Sequence, residues 1–321
     1  MRPSLFSLFG VSFPAYFVLL VTGFLFATTM GAMWARRVGE DPDVIIDLGL
    51  AMILTGVLGG RVHHVLFDGF FMDYVHLCTD PSAVSWKITA AECAGASYNG
   101  AWDAAAGVCH PTKVDCFAWA RFWAGGLAYY GGFIASAATA FFLLRRDRFP
   151  FWKAADMAGC MVPLGLAFGR MGCLLAGCCF GVQTDGPLGL AFPARSPASE
   201  WQFKHGQLAN VMSPSHAVYP TQIFESAASL AIAAFCLLYV HQRKRYDGQV
   251  LLVFVALYGL ARFLLEYIRS DDRGGIFGLS TSQWIGVALI AFAAVAHKLR
   301  SDGRFAFALP PSSAPKTPDP A

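Results

Sequence analysis

Charge is what this chain has least of. Asp, Glu, Lys and Arg make up 14% of its 321 residues, where a soluble domain carries about 25%. A body of this size that is so poor in charge is not a soluble domain. The basic excess is also small, a formal +3, and the basic residues stand in short clusters between apolar runs. That excludes nucleic acid as a partner. No collagen-like, coiled-coil or solenoid repeat is present, so no fibrous or stacked architecture follows. The first apolar run, near residues 13–35, is too long for a signal-peptide core and has no basic leader followed by a small-residue cleavage site. It is expected to be a retained transmembrane helix.

What is present is apolar. Hydrophobic residues make up 56% of the chain, and seven runs reach the roughly 20 residues needed to span a bilayer. They lie near 13–35, 45–67, 122–144, 152–175, 219–240, 249–269 and 281–298. The expected fold is all-α, a polytopic membrane protein of seven transmembrane helices forming one membrane domain over residues 1–308. Basic clusters follow every second connection: Arg36-Arg37, then Arg145-Arg146 with Arg148 and Lys153, then Arg243-Lys244-Arg245, then Lys298, Arg300 and Arg304. The positive-inside rule puts these in the cytoplasm, the N-terminus outside and the C-terminus inside.

The connections differ in character. Residues 68–121 form a long outer loop with Asp68, Asp73, Asp80, Glu92, Asp103 and Asp115, and with Cys78, Cys93, Cys109 and Cys116. Four cysteines there suggest two disulfides, with three possible pairings; no tight C-x-x-C pair supports a zinc site. Residues 181–218 form a second outer loop rich in Gly, Pro and Ser. Residues 309–321 are Pro-rich and expected to be disordered.

Ionisable residues inside apolar runs are costly and mark function. The stretch Gly165–Gly181 carries Arg170 in a helix-compatible segment, then a Gly/Cys cluster with Cys173, Cys178 and Cys179. Tyr16, Arg61, Tyr130, Arg170, Gln222, Glu225, Arg262, Glu266 and Arg269 are all expected toward the outer ends of their spans. Tyr258, Arg262, Glu266 and Arg269 are spaced four, four and three, so they share one helix face. Arg262–Glu266 alone reads equally as a self-neutralising i,i+4 pair. With Arg61, Arg170 and Arg269 expected at the same level, guanidinium outnumbers carboxylate, which calls for an anion. Arg binds phosphate through two parallel hydrogen bonds, and the anion at that depth is a phospholipid head group. Tyr130-Gly131-Gly132 reads as a close-packing site, and His63 and His64 as interfacial residues.

These motifs together resemble the bacterial prolipoprotein diacylglyceryl transferase family. Its signature Gly-Arg-x-Gly-Asn-x-x-Asn-Gly-Glu-x-x-Gly shares the frame of Gly169-Arg170-Met-Gly172-Cys173-Leu-Leu-Ala176-Gly177-Cys178-Cys-Phe-Gly181. Gly59-Gly60-Arg61 with Val65-Leu66-Phe67 matches a further motif. Tyr219-Pro220-Thr-Gln222-Ile-Phe-Glu225 is similar to the family's His-Pro-Ser-Gln-Leu-Tyr-Glu. Tyr258-Gly259-x-x-Arg262-Phe-x-x-Glu266-x-x-Arg269-x-x-Asp272, and Tyr16 with Gly23-Phe24, also look like the family's. The departures lie in proton-handling and polar positions. Tyr130 stands where the family's His-Gly-Gly has histidine, Cys173 and Ala176 where the signature has asparagines, Cys178 where it has glutamate, and Tyr219 where the His-Pro motif has histidine.

The resemblance implies a seven-span inner-membrane enzyme that moves diacylglyceryl from phosphatidylglycerol to the lipobox cysteine of a prolipoprotein signal peptide. It is expected to work as a monomer without cofactor or metal. Arg170, Arg262, Glu266 and Tyr130 are the expected catalytic residues. Arg61, Arg269, Tyr16, Gly131, Gly132, Gly172, Gly181, Gln222, Glu225 and Tyr258 are expected to bind substrate. The thiol must lose its proton, and Glu266, Glu225 and Tyr130 are the candidate acceptors, with His63 and His64 behind them. Cys173, Cys178 and Cys179 leave several readings open: inert packing or a disulfide, a soft-metal site, or a thiol carrying an intermediate. The alternatives to the transferase are the same fold with a different acceptor, a non-catalytic protein binding anionic phospholipid, or a thiol-redox protein.

Overall fold

A computed structural model describes residues 4–8, 11–86, 88, 90–95, 100–122, 126–210, 212–270 and 274–302. The Pro-rich tail, Arg304 and Asp272 lie outside the described residues. The chain forms two compact units, residues 50–142 on one hand and residues 1–49 with 143–321 on the other.

The larger unit is built from α1 (Ala15–Arg37), the first part of α2 (Pro42–Phe67), α6 (Phe151–Ala176), α8 (Thr221–Phe235), α10 (Gln249–Leu265) and α11 (Thr281–Ser301). The helix of α8 runs on through a π-helical turn, Cys236–Val240, into a last short piece, α9 (His241–Arg243). Helix α6 is the hub, packed against α1, α8 and α10, while α10 also packs on α11. Small residues allow these approaches, as van der Waals packing in lipid requires. A Cβ on Gly172 of α6 would lie 2.9 Å from the Tyr16 Cα of α1, and one on Gly259 of α10 would lie 2.9 Å from the Gly286 carbonyl of α11. Helix α11 opens with a capping box, the Ser280 hydroxyl accepting from the Gln283 N–H while the Gln283 side chain accepts from the Ser280 N–H. That satisfies two backbone donors that a helix start otherwise leaves open.

The smaller unit holds the rest of α2, α3 (Phe71–Thr79), the short α4 (Ala90–Cys93) and most of α5 (Tyr129–Arg146). Its polar segment is folded. Strands β3 (Gly100–Asp103) and β4 (Val108–Pro111) pair as an antiparallel hairpin. Of the three possible pairings, the structure has Cys78–Cys116 and Cys93–Cys109. The Asp103 carboxylate accepts the backbone N–H groups of Ala105 and Ala106 in the hairpin turn, which holds its pKa below the usual value.

The chain is mostly helical, but not wholly. The larger unit has a hairpin of β1 (Ser4–Leu8) and β2 (Val11–Pro14) and another of β5 (Gly275–Ile276) and β6 (Leu279–Ser280). Among the described residues, 6 helices are long and apolar enough to cross a membrane: Ala15–Arg37, Pro42–Phe67, Phe151–Ala176, Thr221–Arg243, Gln249–Ile268 and Thr281–Ser301. The third apolar run, expected from residue 122, becomes a helix only at Tyr129. Gly126 just before it is in the left-handed region at φ +70°, a conformation that helices do not continue through. The helix that follows has 18 residues and ends in Arg145-Arg146, so it is less apolar than the other six.

Candidate active site

Glu225, in the second turn of α8, is the centre of a buried ion cluster and is 2% exposed. Its Oε1 lies 2.9 Å from Arg170 Nη2 of α6 and 3.4 Å from the Tyr258 hydroxyl of α10. Its Oε2 lies 3.3 Å from Arg262 Nη1 of α10 and 3.7 Å from Arg269 Nη1, just past the end of that helix. The Arg262 fork is divided, with Nη2 donating to Glu266 Oε2 at 3.3 Å and to the Ser282 hydroxyl at 3.4 Å. The Ser280 hydroxyl donates to the other Glu266 oxygen at 2.9 Å. The helical spacing predicts a shared face for Tyr258, Arg262, Glu266 and Arg269; it is realised for the first three, whereas a 3-10 turn, Glu266–Ile268, ends the helix and leaves Arg269 in extended backbone, from which it still reaches Glu225.

Among the described residues the cluster is not neutral. Three guanidinium groups face two carboxylates there, which leaves one positive charge among side chains largely removed from solvent. A buried charge without compensation costs several kcal/mol. The geometry therefore suits an anion, presented to donors that already stand in fixed positions.

Beside the ion cluster lies the Gly/Cys turn. Gly177, at φ 75°, ends α6, and the Cys178 N–H reaches back five residues to the Cys173 carbonyl at 3.1 Å. This is the hydrogen-bond pattern of a Schellman cap. Cys179 is also left-handed at φ 63°, which a non-glycine residue adopts only at a cost of about 1–3 kcal/mol. The start of α8 secures the turn, Thr221 Oγ1 donating to the Cys179 carbonyl at 2.6 Å and Gln222 Nε2 to the Cys178 carbonyl at 2.7 Å. Gly181 then forms a β-bridge with Arg269 and donates to the Tyr219 carbonyl; a Cβ there would lie 2.8 Å from Tyr219 Cβ. The three thiols of Cys173, Cys178 and Cys179 come within 4.8 Å of one another. Hydrogen bonds from the Cys173 and Cys178 thiols, with Arg269 adding to them, hold the Cys179 thiol well below its ordinary pKa. Tyr16, half-exposed in the first turn of α1, packs against Gly172 of the same α6 end.

The expected residues of the smaller unit have surroundings of their own. Arg61 is buried, and its guanidinium donates to the carbonyls of Trp119 at 2.5 Å, Ala118 at 2.9 Å and Gly126 at 3.1 Å and to the Tyr74 hydroxyl at 3.0 Å. It ties the disulfide-stapled segment to α2. Gly131 and Gly132 bring α5 onto α2, a Cβ on Gly132 falling 2.9 Å from the Gly56 carbonyl. The Tyr130 ring is 61% exposed. His64 Nδ1 lies 2.9 Å from Asp68, while His63 is 3.7 Å from the same carboxylate.

Sequence reasoning passed over Thr221, Ser280 and Ser282. Hydroxyls near helix starts read as caps, and nothing local says which carbonyl or carboxylate they reach. It also passed over Asp156 in α6. That residue is fully buried, accepts from Lys244 Nζ at 2.6 Å and from the Val250 N–H at 2.9 Å. A lone carboxylate inside an apolar run was the available signal.

Several known proteins are similar to this chain over most of its length. The phosphatidylglycerol–prolipoprotein diacylglyceryl transferase 2 of Clostridium perfringens (strain 13 / Type A) is 26% identical over 293 residues, covering 90% of this chain and 92% of its own. The phosphatidylglycerol–prolipoprotein diacylglyceryl transferase of Burkholderia pseudomallei (strain 668) is 30% identical over 302 residues, covering 86% of each. That of Clostridium tetani (strain Massachusetts / E88) is 26% identical over 291 residues, covering 90% of this chain and 94% of its own. The family model of prolipoprotein diacylglyceryl transferases matches residues 3–112 and 110–298, and with helices fit to cross a membrane and a buried, arginine-rich site, this membrane chain belongs to the prolipoprotein diacylglyceryl transferase family.

Proposed function

We propose that this chain transfers a diacylglyceryl group from phosphatidylglycerol to the lipobox cysteine thiol of prolipoproteins, at the outer leaflet of the bacterial inner membrane. The observation that carries the reading is the surplus positive charge of the Arg170, Arg262 and Arg269 cluster around Glu225. An anionic phospholipid head group supplies the missing negative charge. In this reading α5 is the seventh span, the N-terminus lies outside as the positive-inside rule requires, and the enzyme works as a monomer.

The reaction forms a carbon–sulfur bond and breaks the bond between the glyceryl carbon and the phosphate oxygen. Glycerol phosphate leaves and the thiol gives up its proton. Arg170 and Arg262 are proposed to stabilise the charge that grows on the departing phosphate, with Arg269 as a neighbour; such preorganised donors act most strongly where water is excluded. Glu225 positions the three guanidiniums, and Tyr258 braces it. Glu225 accepts hydrogen bonds from Arg262 and Tyr258 and is ion-paired to Arg170 and Arg269 as well. Glu266 accepts from Arg262 and Ser280 and is paired with one guanidinium among the described residues, where Glu225 meets three. Glu266 is therefore the proposed base. Tyr16, Gly172, Gly181 and Gln222 shape the donor site. Tyr130, with Gly131 and Gly132 behind it, is proposed to meet the acceptor, as its exposed ring allows. Arg61 is proposed to hold the segment after α2 in place.

The test is a mass-shift assay. Purified protein in mixed micelles receives phosphatidylglycerol and a lipobox peptide, with Arg262→Ala as control. The expected result is a peptide heavier by one diacylglyceryl group, absent with the variant. A protein that retains anionic lipid but leaves the peptide unmodified sinks this reading and leaves a lipid-binding relative or a different acceptor.

A further inference from the structure

We propose that Cys173, Cys178 and Cys179 form a zinc site. The three thiol sulfurs lie within 4.8 Å of one another. Zinc held by thiolates at about 2.3 Å draws sulfurs to roughly 3.8 Å apart in tetrahedral geometry, so small side-chain rotations close the site. The backbone is already turned for it. The left-handed Gly177 and Cys179 flank Cys178, and the Cys178 N–H on the Cys173 carbonyl brings residues five apart in sequence to one place. The hydroxyl of Thr221 and the amide of Gln222 lock both carbonyls of the turn from a second helix.

A further observation points to a cation rather than to inert packing. The Gln222 side chain is fully buried, and its Oε1 has no hydrogen-bond partner among the described residues although its Nε2 is tied to Cys178. A buried amide oxygen left bare is costly, and it is a neutral donor suited to a metal. Three cysteine thiolates are a ligand set that zinc takes with a fourth position open. A disulfide, the competing fate, consumes two thiols and strands the third. Binding of the ion displaces the protons of the thiols that still carry one.

The experiment uses full-length protein purified in detergent under a phosphine reductant. Zinc is measured by elemental analysis after equilibration with excess zinc and desalting. Cobalt is then substituted and its thiolate charge-transfer absorption recorded. Expected are one zinc per chain and a tetrahedral cobalt–thiolate spectrum. Cys178→Ser and Cys179→Ser should each weaken binding at least 100-fold and Gln222→Ala about tenfold, the range for a supporting partner. Cys160→Ser and Cys236→Ser, at the other free cysteines, should bind as the parent does. Three freely reactive thiols with no zinc, a disulfide within residues 173–179, or zinc kept by the Cys178→Ser/Cys179→Ser variant each overturns the proposal. The cobalt spectrum of the unaltered protein decides the matter even where a variant fails to fold. Metal content and absorbance do not depend on lipid transfer, so failure here leaves the transferase reading standing.

Discussion

Helices α6, α8 and α10 carry a buried ion cluster near each end, and the two are built on opposite principles. At the end of α6 and the start of α8, Arg170, Arg262 and Arg269 share Glu225 and Glu266, with one positive charge to spare. At the start of α6, Asp156 and Asp247 share Lys244, and the second oxygen of Asp156 caps the first turn of α10 through the Val250 N–H. The second cluster is negative by one, but Asp247 is well exposed and meets water, and a backbone donor serves the buried carboxylate. It is complete. The first cluster has its surplus around Glu225, Arg262 and Arg269, which are 2–8% exposed, with the Arg170 side chain 20% exposed. A fold that can close an ion network in one place and leaves it open in another marks the open one as the place for a ligand.

The sharpest way to break this comparison is Arg262→Ala. Removing one positioned donor costs catalysis about 10²–10³-fold, and leaving Glu266 without the one guanidinium it meets among the described residues costs stability about 3–5 kcal/mol. The assay is turnover per folded molecule, with folding read from a melting curve in detergent. Equal turnover in the folded fraction would mean that the open cluster is structural after all.

Asp156→Asn should do the reverse. The lost pair to Lys244 lowers stability by about 3 kcal/mol, while turnover per folded molecule stays within about twofold, less than 0.5 kcal/mol. Adding Lys244→Gln should recover much of the loss, since a buried pair removed together is far cheaper than one broken. A fall in turnover matching that of Arg262→Ala would erase the distinction between the two ends.

Ser280→Ala is a milder probe of the open end. It removes the cap of α11 and one donor to Glu266. A stability loss of about 1 kcal/mol is expected. With Glu266 as the proposed base, the lost donor to its carboxylate should also lower turnover per folded molecule about fivefold, the worth of one hydrogen bond. Unchanged turnover would assign Ser280 to capping alone.

The smallest effect belongs to neither cluster. Asp103 has a lowered pKa from the Ala106 and Ala105 N–H groups. Its contribution is therefore present above the ordinary carboxylate pKa, near 4, and is lost as the pH falls below it. Protection factors for amide exchange in the β3–β4 hairpin, corrected for the intrinsic rate at each pH, should fall in that acid range, whereas Asp103→Asn should show no such acid step. The exchange of α6 should not follow it.

Much of the site was legible because its spacing is local. Tyr258, Arg262 and Glu266 share a helix face by arithmetic, and Arg170 declared itself by being charged in an apolar run. What lay out of reach was partnership. Arg61 and Arg170 look alike in sequence, each an arginine beside glycines near a span end. Arg61 spends its donors on the carbonyls of a disulfide-stapled segment, and Arg170 meets Glu225 from another helix. The run expected to begin at 122 shows a second limit. Periodicity and hydropathy extend through Gly126, but its left-handed backbone delays the helix to Tyr129.

Composition, apolar runs and motif spacing determined by themselves that this is a helical membrane protein of the diacylglyceryl transferase kind with an arginine-rich site, because low charge and helical periodicity act within single segments. Only the tertiary structure decided which carboxylate the arginines share, which cysteines pair, which three stay together as thiols, and which arginine is spent on scaffolding. Most of those outcomes depend on contacts between segments far apart in sequence, 37 positions for Glu225 and Arg262 and 88 for Asp156 and Lys244, and only tertiary packing sets such distances.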